Sequence, residues 1–166
     1  MDSSSETRRF LIRPATKSDV PIILSFIRML ADYERLSHEV VATEESLQKT
    51  LFGRRRTAEV AIGYFKSEPV GFVLYFHNYS TFLGRPGIYI EDLFVHEPYR
   101  HRGVGQALLR YVARVAAGRS CGRLEWSVLD WNEPAVEFYR KLGAVPMNEW
   151  TVFRITGREL EKLAGS

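Results

Sequence analysis

An α/β layer fold, built on a mixed, mostly antiparallel central sheet flanked by helices, is what these 166 residues predict. Three observations carry that expectation. Runs rich in β-branched and aromatic residues alternate with stretches of helical apolar period. Two of the strand-like runs are separated only by KSEP at 66–69, a turn between antiparallel neighbours. A loop holding two glycines then leads straight from an apolar strand into an apolar helix.

The elements follow in order. Residues 10–13 read as a brief strand stopped by Pro14. Residues 18–34 place apolar side chains at 22, 23, 26, 27 and 30, the stripe of an amphipathic helix. A shorter helix is expected at 44–52, where Glu44 and Glu45 suit the positive end of the dipole. Strands are expected at 58–65, 70–79 and 87–95, then a helix at 104–117 and a strand at 123–129. The next helix, 134–142, ends at Gly143, and Asn132 caps its start. Residues 152–155 read as the last strand. Thr156 and Glu159 have the spacing of a capping box for a short terminal helix. Residues 1–8 read as a loose tail and 9–166 as one domain, with no internal repeat or dividing linker.

Composition limits the function classes. Hydrophobic residues make up 45% and charged residues 26%, the balance of a soluble globular protein. The formal net charge of +3, with one basic run at 54–56, is too small and scattered for a nucleic-acid surface. No stretch reaches 18 apolar residues and the start lacks an apolar leader core, so neither a membrane partner nor secretion is expected and the cytoplasm is the expected compartment. The single cysteine, Cys121, allows no disulfide framework or cysteine zinc cluster, and the four histidines form no ligand motif, so no metal is expected.

Three segments carry chemistry. In VHEPYRHRGVGQALL, Arg100, Gly103 and Gly105 form R-x-x-G-x-G at the start of a helix. Missing Cβ atoms let a ligand approach backbone amides at the positive end of the dipole, a cradle for phosphate. Arg100 and Arg102 add charge. The spacing is neither the dinucleotide fingerprint nor a Walker loop; a connection that merely starts a helix is the competing reading. In YIEDLFV, Glu91 and Asp92 are adjacent carboxylates inside an apolar strand. Alternation sends them to opposite faces, so at least one needs a polar crevice or partners. In LDWNEPAVEFYRKLGA, Phe138 is expected in the core and Tyr139 presents a hydroxyl on an otherwise apolar ring.

Taken with RPAT at 13–16, LADYE at 30–34 and YSTFLGRPGIYIEDLFV at 79–95, these segments resemble the GCN5-related N-acetyltransferase superfamily. Within it, the chain is most similar to the diamine (spermidine/spermine) and thialysine N-acetyltransferases, over residues 11–163. The resemblance implies the acyl-CoA N-acyltransferase fold, acetyl-CoA as cosubstrate and a homodimer. It implies that the main chain at Phe94 and Val95 lies beside the pantetheine, and that Arg100, His101, Arg102, Gly103, Val104 and Gly105 wrap the pyrophosphate. Asn132 then contacts the donor, and Tyr139 lies near its sulfur as general acid. Glu91 removes a proton from the amine through water. Tyr33, Glu34, Phe82, Asp92, Glu149 and Trp150 line the acceptor route, although PMNEW at 146–150 is shorter than the usual stretch. The implied reaction is direct acetyl transfer to a small cationic amine: a diamine, a polyamine or a thialysine-like amino acid. The alternatives are acetylation of a protein lysine or N-terminus, and a non-catalytic acyl-CoA-binding module.

Overall fold

The computed structural model describes residues 10–165, so the expected tail at 1–8 lies outside the described residues. The chain forms two compact units, one ending at Ser127 and the other beginning at Val128.

The first unit is a five-stranded sheet in the order β1-β2-β3-β4-β5, comprising Phe10–Pro14, Glu59–Phe65, Glu68–Ser80, Arg85–Val95 and Leu124–Trp126. The first four strands are antiparallel in succession; β5 joins β4 in parallel. The turn between β2 and β3 is two residues, Lys66 and Ser67, with φ of 50° and 72°. Both are left-handed, the geometry that matches hairpin twist. Strand β3 therefore begins at Glu68, earlier than expected, and Pro69 is tolerated inside it beside a register shift at Gly63/Tyr64.

Alternation along β2 and β3 serves two faces. Val60, Ile62 and Phe72 pack with Val20, Ile23, Leu24 and Phe26 of α1 (Val20–Tyr33) and with Leu47 and Leu51 of α2 (Glu44–Phe52). Phe26 and Phe72 stack with centroids 5.5 Å apart. Each such fully buried side chain contributes about 1.5–3 kcal/mol. On the opposite face lies α3 (Val104–Gly118), whose Leu108 approaches Gly63 and Gly71. A Cβ at Gly71 would stand 2.6 Å from the Phe94 carbonyl oxygen, so this strand accepts only glycine there.

At the entry to α1, Arg13 forks onto Asp19 at 2.8 and 3.0 Å, and the Thr16 amide donates to the same carboxylate at 2.7 Å. These bonds hold the Asp19 carboxyl down at about 2 against the upward push of burial.

The second unit contains α4 (Glu133–Lys141) and α5 (Gly157–Ala164). Five expectations are corrected. Residues 152–155 form no strand: Val152, Phe153 and Ile155 have strand propensity, but no ladder forms with them among the described residues. The strand expected at 123–129 shortens to Leu124–Trp126. Asn132 and Thr156 occupy N-cap positions without side-chain cap bonds, and Glu159 pairs with Lys162 at 2.6 Å instead of closing a box. Phe138 is half-buried, and α4 carries no buried residue. Gly143, with φ of 89°, closes α4 as expected.

Candidate active site

The site begins where β4 leaves its regular path. Leu74 pairs with Asp92 and Tyr75 with Ile90, so Glu91 is an extra residue, a β-bulge in the middle of the strand. The bulge interrupts the strict alternation expected along the strand, with Glu91 exposed and Asp92 the half-buried carboxylate that needs a crevice or partners. It also changes which peptide groups face which neighbour. Before it, the Ile88 amide donates toward β5, to the Arg123 carbonyl at 3.1 Å. Beyond it, the His96 amide donates toward β3, to the Val70 carbonyl at 2.8 Å. Two-residue periodicity then turns the peptide groups of Phe94 toward β3 and those of Leu93 and Val95 toward the β5 side.

That side is open. Strand β5 pairs with β4 only at Ile88, Tyr89 and Ile90, and its last paired residue is Trp126. The amides of Leu93 and Val95 and the carbonyl of Leu93 thus line a seam in the sheet. Of the two residues expected beside the donor, Val95 presents its main chain there and Phe94 does not. Leu93 faces the same side as Val95, an orientation that only strand register reveals.

At the upper end of the seam the chain passes through a 3-10 turn, Glu97–Tyr99, into the glycine loop. His101 has φ of 61° and Gly103 φ of 78°, two left-handed residues that curl the loop before α3. The first helical bond runs from the Ala107 amide to the Gly103 carbonyl at 2.9 Å, and no side chain caps the helix. The amides of Val104, Gly105 and Gln106 are therefore left for a ligand. A Cβ at Gly103 would meet nothing within 4 Å; a Cβ at Gly105 would touch only Val95 Cγ2 at 3.6 Å. This open, amide-lined loop fits a diphosphate. Arg102 lies over the Tyr99 ring at 5.7 Å, while the Arg100 guanidinium turns back to the Val95 carbonyl.

Beside the bulge the charge is negative. Burial, Glu91 and Glu34 together raise the Asp92 carboxyl to about 6, and burial raises that of Glu34. Tyr33 and Glu34 end α1, so helix and bulged strand bring Glu34, Glu91 and Asp92 into one acidic cluster with Tyr33 close by. Phe82 is not part of it. It sits at the tip of the β3–β4 hairpin, fully exposed, and the seven steps from Arg85 to Asp92 span about 23 Å of strand. In the second unit, Tyr139 lies on α4 with its ring 5.4 Å from that of Phe138. Asn132 precedes the same helix, and Glu149 and Trp150 lie in the connection to α5. Among the described residues no cluster of metal-ligating side chains occurs, and no helix is long and apolar enough to cross a membrane.

A family model described as the acetyltransferase (GNAT) family matches residues 26–144, spanning the bulged strand, the glycine loop and α4. The chain belongs to the GNAT acetyltransferase family. It is 36% identical to L-ornithine N5-acetyltransferase NATA1 of Arabidopsis thaliana, over 92% of this chain and 86% of that one. It is 39% identical to the thialysine N-epsilon-acetyltransferase of Bos taurus, over 93% and 97%. An integron cassette protein from the mobile metagenome of V. cholerae superimposes with a TM-score of 0.80 at 25% identity, over 95% of this chain and 99% of its own. The GNAT fold expected from the sequence is thereby shown, and acetyltransferase activity in general follows from membership. The matched residues of this GNAT chain include the seam, the bare amides and the acidic cluster.

Proposed function

We propose that this GNAT chain transfers the acetyl group of acetyl-CoA to the terminal primary amine of a small cationic acceptor. A basic amino acid of the ornithine or thialysine kind is favoured, with diamines and polyamines next. The observation that carries the reading is the acidic cluster of Glu34, Glu91 and Asp92 beside an amide-lined seam. The names of the similar ornithine and thialysine enzymes support the ranking.

The chemistry follows from the side chains. An alkyl ammonium has a reference pKa near 10.4 and must lose a proton before it attacks. Asp92 and Glu34 draw the cation in. Glu91, exposed at the bulge, takes the proton through water, so that no tight ion pair holds the nitrogen charged. Acetyl-CoA supplies the thioester carbon to be attacked. The amides of Val104, Gly105 and Gln106, with His101 and Arg102 beside them, hold its diphosphate. Those of Leu93 and Val95 hold its arm and the negative charge that develops on the thioester oxygen. Tyr139 protonates the departing thiolate, and Asn132 contacts the donor. Glu149 and Trp150 complete the acceptor route. Phe82, remote from the acidic cluster of its own chain, serves that of a second copy in a homodimer.

The test is acetyl transfer to a panel of ornithine, lysine, thialysine, putrescine and spermidine, compared by kcat/KM. Acetylation of the side-chain amine, with the amino acids preferred, is expected. Turnover confined to peptide N-termini or protein lysines would reject the proposal.

A further inference from the structure

Arg100 opens the glycine loop, yet its side chain leaves it. Nε donates to the Val95 carbonyl at 3.0 Å, closing the one acceptor at that point of the seam-facing edge. The guanidinium carbon lies 4.6 Å from the centroid of the Tyr33 ring and 5.6 Å from that of Phe94. Tyr33 ends α1 and immediately precedes Glu34 of the acidic cluster. A single planar cation thus touches the donor-side edge of β4 and the helix end that carries the acceptor's carboxylate. Lysine cannot replace it: an ammonium has neither a fixed in-plane Nε donor nor a flat face to lay on tyrosine.

We propose that Arg100 is a positioning residue that couples the two substrates. It fixes the Val95 peptide and the Tyr33 ring to one another, so that ordering the seam around CoA also sets the end of α1 for the amine. The inference rests on the acetyltransferase reading above. Coupling of this kind is reciprocal, so it is readable as binding without turnover.

The experiment measures, by calorimetry, the dissociation constant of the best amine of the panel with and without saturating CoA, which cannot acetylate it. Wild type, Arg100→Lys, Tyr33→Leu, Tyr33→Phe and the Arg100→Lys/Tyr33→Leu double variant are compared, each checked by thermal unfolding. In wild type CoA is expected to tighten amine binding about tenfold, within the usual range of coupling between sites. Arg100→Lys and Tyr33→Leu each remove that enhancement, and the double variant is no worse than either alone. Tyr33→Phe keeps it, because the ring face and not the hydroxyl meets the guanidinium. Should Arg100→Lys fail to fold, the contrast between Tyr33→Leu and Tyr33→Phe decides the matter. An enhancement that survives in Tyr33→Leu, is lost equally in Tyr33→Phe, or is absent from an active wild type overturns the coupling role while leaving the function intact. A wild type that neither binds CoA nor acetylates any amine overturns both.

Discussion

Replacing Asp92 by asparagine separates the cost of the acidic cluster from its use. The native carboxyl sits at about 6, against 3.8 for a free one, because burial and two neighbouring carboxylates disfavour its charge. A group whose folded pKa is raised makes the native state bind more protons between those two values, so stability falls as pH rises from about 4 to 6 and stays low above. At 1.36 kcal/mol per pKa unit the full cost is about 3 kcal/mol; with one side open to solvent, about 1–2 kcal/mol is expected. Asparagine keeps the shape and removes the charge. At pH 8 the variant should melt about 3–6 °C above wild type, and the gain should vanish at pH 4. Its acceptor KM, at saturating acetyl-CoA, should rise about tenfold or more, the worth of one charge-assisted contact. In wild type the same KM should climb as pH drops below 6 and Asp92 takes up its proton. Scanning calorimetry across pH 4–8 and steady-state kinetics check the two halves. A variant with no pH-dependent gain in stability and an unchanged acceptor KM would refute the placement of Asp92.

Tyr139→Phe keeps the ring against Phe138 and should lower kcat about a hundredfold with the acetyl-CoA KM unchanged; an unaltered kcat rejects the general-acid role. Gly103→Val forces a branched residue to φ near 78°, whereas Gly105→Ala adds only an ordinary contact to Val95. Both should weaken acetyl-CoA binding, but only the first should lower the melting temperature, and unchanged affinity in both contradicts the amide cradle. Asp19→Asn breaks the fork from Arg13 and should cost about 2 kcal/mol at pH 7. The folded pKa of Asp19 is depressed, so its contribution is present above about pH 4 and lost as pH falls toward 2. A denaturation midpoint indifferent to the change would remove Asp19 from the account.

What could be read from the chain was what depends on near neighbours. Helix α2 begins and ends where its acidic first turn and apolar spacing put it, at Glu44 and Phe52. The start of α3 at Val104 follows from Gly103 and the apolar period beyond it. Caps were harder, because a side chain chooses among partners: Thr43 is closed by Ser46, an unconventional box, while Glu159 prefers Lys162 to Thr156. Register could not be read at all. The extra residue at Glu91 exists only relative to β3, and with it go the turn of Phe94 away from the seam and of Leu93 toward it. Arg100 was placed by its motif among the anion ligands, whereas its reach to Tyr33 depends on how α1 crosses the sheet. The distance of Phe82, at the tip of a long hairpin, from the bulge of its own chain is likewise invisible in its motif.

The open edge of β4 is written in peptide groups, and this decides how it can be damaged. Exchanging the side chain of Leu93 or Val95 leaves the N–H in place, so an alanine scan would pass over the segment without registering it. Proline, which deletes the donor itself, is the one point substitution that silences such a position. A single-residue deletion at 91 acts differently. It removes the bulge and its carboxylate, sets Asp92 directly after Ile90, and leaves Leu93 and Val95 facing the seam, whereas straightening the strand with Glu91 retained would hand that edge to Phe94.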